Sequence, residues 1–210
     1  MDPTLAQKLS DLEEDAVLAI VRRELEAGTP AQEILDACRE GMLGVGKRYE
    51  SGEYFVSDLM MAGEVFKEAA ALLGDQLAAS QAPTKGTVVI GTVKGDIHDI
   101  GKDLVVTLLR TNGYKVVDVG VDAPPEAFVE AVRQSGATVA GLSGLLTVGY
   151  DAMRDTVTAL KGLGLPLKVM IGGGPVNEAV REYTGADAWG QDAQAAITLA
   201  DQWTQLKEVA

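Results

Sequence analysis

Residues 87–102 read Thr87-Val88-Val89-Ile90-Gly91-Thr92-Val93-Lys94-Gly95-Asp96-Ile97-His98-Asp99-Ile100-Gly101-Lys102. A β-branched apolar run opens into a glycine-flanked polar loop, and a helical pattern follows. A run that is apolar at every position is the mark of a strand buried on both faces, as parallel strands are. The unit recurs downstream. Lys115 to Val119, Thr138 to Leu142 and Leu167 to Ile171 are further runs of this kind, each followed by helical pattern. A weaker fifth strand lies near Ala186 to Trp189, and a last helix is predicted from about Asp192 to Lys207. Strands alternating with helices predict an α/β domain, a flavodoxin-like (Rossmann-like), doubly wound, five-stranded parallel sheet. Ligands of such sheets bind beyond the carboxyl ends of the strands, where strand order reverses. The loops directly after each strand are therefore where function is written.

Towards the N-terminus the period changes. Asp2 and Pro3 supply a cap and a first-turn proline. Leu5, Leu9, Leu12, Ala16 and Ile20 then share one helix face, with a stop near Gly28. Thr29-Pro30-Ala31-Gln32 predicts a capping box for a second helix, whose stripe is Ile34, Cys38, Met42, Val45 and Tyr49. After a turn at Ser51-Gly52-Glu53, Ser57 and Asp58 are candidate caps of a third helix carrying Met61, Val65, Ala69 and Leu72. A small helical bundle over residues 1–82 follows, then a linker, Ala79 to Thr84, and the α/β domain over 83–210.

Bulk composition narrows the function. With 18 basic and 31 acidic residues the net charge is −13, which argues against nucleic acid or an anionic membrane as partner. No basic start with an apolar core opens the chain, and no apolar run reaches the roughly 18 residues of a membrane span. A cytoplasmic location is expected. The single cysteine, Cys38, forms no internal disulfide and reads as a core residue.

His98, the single histidine, follows the first strand, with Asp96 two residues before it and Asp99 one after. A neutral imidazole is a good transition-metal ligand, and its second nitrogen usually donates to a carboxylate that fixes the ring. Asp96 is placed for that part, while Gly95 and Gly101 allow sharp bends and close approach of a bulky group. A lone loop histidine is more often a surface or packing residue. One histidine also cannot hold a bare ion, because a closed site needs four ligands. Any metal here must bring its other ligands along, as a macrocycle does. In the third loop the hydroxyls of Ser143 and Thr147 are candidate hydrogen-bonding groups or, equally, helix caps. The run Gly172-Gly173-Gly174 after the fourth strand suits either a ligand passing the backbone or a tight turn. The GK[ST] ending of a phosphate loop is absent, as is G-x-G-x-x-G after a strand.

Together, Asp96-Ile97-His98-Asp99-Ile100-Gly101, Ser143-Gly144-Leu145 and Gly172-Gly173 match D-x-H-x-x-G, S-x-L and G-G, each after a predicted strand. They resemble the cobalamin-binding module of methionine synthase and of the corrinoid proteins of methyltransferase systems. Val119 to Glu126 is similar to that family's second loop, and Gly41 to Ala71 to its helical cap. The resemblance implies cobalamin bound with its own base displaced and His98 as the lower ligand of cobalt. It implies Asp96 on the other ring nitrogen, and Ile97, Asp99, Gly101, Val119 and Leu145 in the binding loops. Ser143, Thr147, Gly149, Gly172 and Gly173 would line the path of the nucleotide tail. Trp189 would pack on the tail's base or serve as sheet-edge core. Tyr49 and Val56, with Phe55, would shield the methyl group. Gly149 is a departure, since methionine synthase has there the serine that extends its aspartate–histidine pair.

The expected function is a methyl carrier cycling between cob(I)alamin and methylcobalamin, with His98 binding and releasing cobalt and Asp96 coupled to that change. Its expected partners are a methyl-donor-specific methyltransferase and a methyl-acceptor methyltransferase, with a reductive activase as a third. A cobalamin-dependent sensor or regulator and a mutase cobalamin subunit are the alternatives. The sensor is weakened because Trp189 and Trp203 both lie in the sheet half.

Overall fold

The structure, a computed structural model, describes residues 1–78 and 85–205, with side chains omitted at 75–78 and 205. The expected linker at Ala79 to Thr84, and the last two residues of the expected final helix, lie outside these residues. The chain divides into two compact units, Met1–Pro83 and Thr84–Ala210.

The first unit is helical: α1 (Leu5–Ser10), α2 (Glu14–Glu26), α3 (Ala31–Glu50) and α4 (Val56–Ala78). The first predicted helix is two. Leu12, on the expected stripe, lies in the left-handed backbone region at φ 59°. Leu12 N–H bonds to Leu9 C=O and Glu13 N–H to Lys8 C=O, the paired bonds that close a helix with a left-handed residue. Gly28 and Gly52 end α2 and α3 in the same way, at φ 80° and 78°. The corner at Leu12 is held by α3 and the turn after it. Arg48 donates to Ser10 C=O (3.1 Å) and Asp11 (2.7 Å), and Tyr54 Oη donates to Ser10 C=O (2.9 Å).

The expected capping box does not form, because the Thr29 hydroxyl donates to Glu24 at 2.6 Å and α3 starts behind Pro30 without a side-chain cap. Asp58 does cap, accepting from Phe55 N–H at 2.7 Å. The buried stripe of α4 is Leu59, Ala62, Val65, Phe66, Ala69 and Leu73, so Met61 and Leu72, expected inside, are exposed. The stripe of α3 is as expected, with Ile34, Cys38, Met42 and Val45 buried and Tyr49 half-buried. Gly41 lets α1 approach α3 closely: a Cβ there would sit 2.8 Å from both Ala6 O and Leu9 Cβ.

The second unit alternates β1 (Thr87–Thr92), α5 (Ile100–Thr111), β2 (Lys115–Asp118), α6 (Pro125–Ser135), β3 (Val139–Ser143), α7 (Tyr150–Lys161), β4 (Lys168–Gly172), α8 (Glu178–Thr184), β5 (Ala188–Gly190) and α9 (Ala193–Gln205). Its sheet is parallel throughout, in the order β2-β1-β3-β4-β5. This is the flavodoxin-like order, and it reverses between β1 and β3. One face packs on α6, α7 and α8 through Val89, Ala140, Leu142 and Ile171 against Phe128, Met153, Val157 and Leu160. Gly91 faces the same side, and the Phe128 ring and Val119 fill the space a side chain would take.

Candidate functional site

Because β1 and β3 are adjacent and run the same way, the loops that leave them start side by side. Their junction is built on one carboxylate. Asp96 has 0% side-chain exposure, and each of its oxygens accepts two N–H groups. Oδ1 takes the His98 backbone N–H (3.0 Å) and the His98 ring at Nδ1 (2.7 Å). Oδ2 takes the backbone N–H groups of Leu145 (2.6 Å) and Leu146 (3.0 Å), across in the third loop. Burial pushes this carboxyl up, but the bonds from His98, Leu146 and Leu145 outweigh it and hold the group well below the usual carboxylate range. Asp96 therefore stays ionised and can only accept, so Nδ1 carries a ring proton, and Nε2 is the nitrogen left outside the pair. The imidazole is 49% exposed.

Two further groups fix the loop, and neither was expected. The buried Thr92 hydroxyl donates to His98 C=O at 2.9 Å. Its signal in the sequence is a polar residue at the end of an otherwise apolar strand. Asp122, from the loop after β2, accepts from Gly95 N–H at 2.7 Å and donates its own N–H to Asp96 C=O at 2.9 Å. No local spacing announces that contact.

The other expected residues fall as follows. Ile97 and Asp99 are exposed beside His98, and Asp99 takes the N-cap position of α5. Gly95 does bend the chain, at φ 86°, whereas Gly101 sits in ordinary helical backbone. A Cβ at Gly101 would meet nothing within 4 Å, so its smallness opens space and bends nothing. Val119 is half-buried and packs on the sheet core over Gly91. Ser143 is half-buried at the end of β3 and Thr147 is exposed. Neither caps a helix, because the short 3-10 turn Thr147–Gly149 and α7 both begin without a side-chain cap.

The two readings of the glycine run divide between two residues. A Cβ at Gly172 would meet only Gly190 O, at 3.7 Å, whereas one at Gly173 (φ 137°) would overlap the Gly144 backbone. Gly173 thus packs loop on loop, and Gly172 leaves room. Gly149 is buried, and a Cβ there would touch Val93 at an ordinary 3.5 Å. Trp189 is half-buried on the edge strand β5 against the core. Tyr49 closes the last turn of α3, while Phe55 and Val56, both exposed, precede and open α4 in the helical unit.

What such a site can hold follows from its donors and its walls. No group of three or more His, Cys, Asp or Glu among the described residues could bind a bare metal ion. The site offers one imidazole with a fixed ring, exposed apolar side chains at Ile97, Ile100, Leu145, Leu146 and Val148, and open space over Gly101 and Gly172. One axial nitrogen in an apolar surround fits a metal that arrives with its equatorial ligands in a large flat ring. No helix among the described residues is long and apolar enough to cross a membrane.

Comparison with known proteins points the same way. A family model described as a B12 binding domain matches residues 86–198, and a second of the same description matches residues 3–73. Dimethylamine corrinoid protein 2 of Methanosarcina mazei is 37% identical over 205 residues, covering 94% of this chain and 96% of its own length. The crystal structure of a cobalamin-binding protein from Desulfitobacterium hafniense is similar, with TM-score 0.78 and 40% identity over 95% of this chain and 97% of that one. The methanol:cobalamin methyltransferase complex of Methanosarcina barkeri contains a chain that matches with TM-score 0.83 and 31% identity, over 96% of this chain and 78% of its own.

Proposed function

The chain belongs to the B12-binding-domain family, and from that premise we propose that it is the corrinoid subunit of a methyltransferase system, carrying a methyl group on cobalamin between partner enzymes. The observation that carries this reading is the fixed His98 ring, a half-exposed side chain at the switch point whose Nδ1 is occupied by Asp96. When bound, cobalamin supplies the cobalt that accepts and yields the methyl group.

The chain's own part is to hold and to orient. His98 would hold the cobalt of the cofactor through Nε2. Asp96 fixes the ring, and Thr92 fixes the main chain that carries it. Ile97, Leu145 and the open backbone at Gly101 would contact the macrocycle. Asp99 lies at the rim of the binding loop. Ser143, Thr147 and the space over Gly172 would take the nucleotide tail, with Trp189 against its base, and Gly149 and Gly173 would shape the loops behind it. Val119 acts through the core beneath the site. Tyr49, Phe55 and Val56 are assigned, from the family resemblance alone, to keeping water from the methyl group.

The dimethylamine corrinoid relative and the methanol:cobalamin methyltransferase complex support methyltransferases as partners. The proposed partners are a methyl-donor-specific methyltransferase, a methyl-acceptor methyltransferase and a reductive activase. A cytoplasmic location belongs to the same proposal. To test the ligand assignment, the protein is reconstituted with methylcobalamin beside His98→Ala. The variant should lose the spectral change that binding produces and bind at least about tenfold more weakly. An unchanged spectrum and affinity would refute it.

A further inference from the structure

Asp122 is exposed, yet its backbone lies at φ 51°, a conformation that costs an L residue energy and persists where surrounding contacts impose it. Those contacts are with the histidine loop. The Asp122 carboxylate accepts Gly95 N–H at 2.7 Å, and Asp122 N–H is donated to Asp96 C=O at 2.9 Å. One residue thus grips the turn on both sides of the Gly95–Asp96 link, immediately before the side chain that orients His98.

The loop that carries Asp122 is itself anchored. Asp118, at the end of β2, accepts Gly120 N–H at 2.9 Å on one oxygen and the buried Lys102 ammonium at 2.5 Å on the other. Lys102 lies in the first turn of α5, just after His98. On the other side Ala123 N–H bonds to Thr92 C=O at 3.0 Å, and Val93 forms a parallel bridge with Ala123. The second loop is therefore tied to the histidine loop both before and after His98.

We propose that Asp122 is a positioning residue for His98: its carboxylate and N–H set the Gly95 turn that aims Asp96 at the imidazole. It acts through Asp96 and touches neither metal nor methyl group. Aspartate suits the place because its short side chain tolerates the left-handed region and supplies the acceptor. This assignment rests on His98 being the cobalt ligand.

Three substitutions separate the carboxylate from the backbone and from the charge. Asp122→Gly keeps the left-handed backbone and removes the acceptor. Asp122→Asn keeps an acceptor oxygen and removes the charge. His98→Ala, run in parallel, reports on the ligand reading. The first readout uses the protein without cofactor. With the single histidine labelled with 15N, ring chemical shifts give the tautomer of His98 alone, and amide exchange reports on Gly95. Wild type and Asp122→Asn should show the Nδ1–H form and a protected Gly95. Asp122→Gly should show a mixture of tautomers and Gly95 exchange at least about tenfold faster.

The second readout is the histidine-ligated fraction after loading with methylcobalamin, which should fall in Asp122→Gly and recover in Asp122→Asn. A glycine variant identical to wild type in tautomer, exchange and ligated fraction would overturn the proposal. So would an asparagine variant, folded by circular dichroism, that behaves as the glycine one. If His98→Ala alone left the loaded spectrum unchanged, the ligand reading would fail, and the cofactor-free tautomer and exchange would still decide the role of Asp122.

Discussion

Leu12 in the helical unit and Asp122 in the sheet unit are the two non-glycine residues with positive φ among the described residues. Leu12 ends a helix, and the groups around its corner, Arg48 and Tyr54, bind the backbone of Ser10. Asp122 ends no element, and both of its bonds go to the loop that carries His98. The same backbone strain serves architecture in one unit and site geometry in the other, and only the partners tell which. The units differ in charge as well. Residues 1–83 carry 7 basic and 16 acidic side chains, residues 84–210 carry 11 and 15, so most of the acidic excess lies in the helical unit. They also differ in probes. Cys38 reports on the helical unit alone, and both tryptophans report on the sheet unit.

Those probes allow the comparison to be broken one unit at a time. The largest effect is expected from Gly173→Ala, which forces a Cβ into the Gly144 backbone at φ 137°. The sheet unit should lose about 3 kcal/mol, seen as an earlier urea transition in tryptophan fluorescence, with Cys38 labelling unchanged. Equal stability would mean that the third and fourth loops part easily. Next comes Gly41→Ala. Its Cβ would sit 2.8 Å from Ala6 O and Leu9 Cβ. The crowding outweighs the gain in helix propensity, for a net loss of about 1.4 kcal/mol. Cys38 labelling should then quicken about tenfold while the tryptophan transition stays in place.

Alkaline pH should separate the units more gently. Burial pushes the Cys38 thiol up to about 12. In the unfolded chain the thiol ionises near ~8.5, so the unfolded state sheds its proton first as pH rises. The stability linked to Cys38 is complete below ~8.5 and falls towards pH 12, by at most about 1.4 kcal/mol per pH unit. Burial, then the bond to Asp201, raises Tyr114 in the sheet unit, where the corresponding loss starts only near ~10. The helical unit should therefore weaken first, its far-ultraviolet circular dichroism falling at a lower pH than the tryptophan signal changes, and Cys38→Ala should abolish that lead. Gly149→Ser should have the smallest effect. Its Cβ makes an ordinary 3.5 Å contact with Val93 and its hydroxyl stands at the N-cap of α7, so stability should stay within about 0.5 kcal/mol of wild type. A larger loss would show that the space between Gly149 and Val93 has no room for a serine side chain.

The sheet unit was more legible in the sequence than the helical one. Its central strands β1, β3 and β4 are largely apolar runs bounded by glycine or polar loops, and the observed strands fall within two residues of the expected ends. In the helical unit the apolar spacing Leu5, Leu9, Leu12, Ala16, Ile20 runs straight through a break, so nothing local marked Leu12 as a corner. The face of α4 was ambiguous because Met60, Met61 and Leu72 are apolar yet exposed. The same division holds inside the site. The His98–Asp96 pair lies two residues apart and could be read locally. The grips of Leu145, Leu146, Asp122 and Thr92 join loops of different strands or bury a hydroxyl under the backbone, and such contacts exist only once β1 lies between β2 and β3.

The central claim is that His98 ligates cobalt, and its solitude makes a direct test available. Protein grown with 15N-histidine is loaded with cobalamin, reduced by one electron to paramagnetic cobalt(II), and compared with unlabelled protein by electron paramagnetic resonance. If the imidazole of His98 is the axial ligand, the superhyperfine pattern changes from the triplet of 14N to the doublet of 15N. A triplet that survives labelling would mean that the cofactor's own base, and not His98, holds the metal.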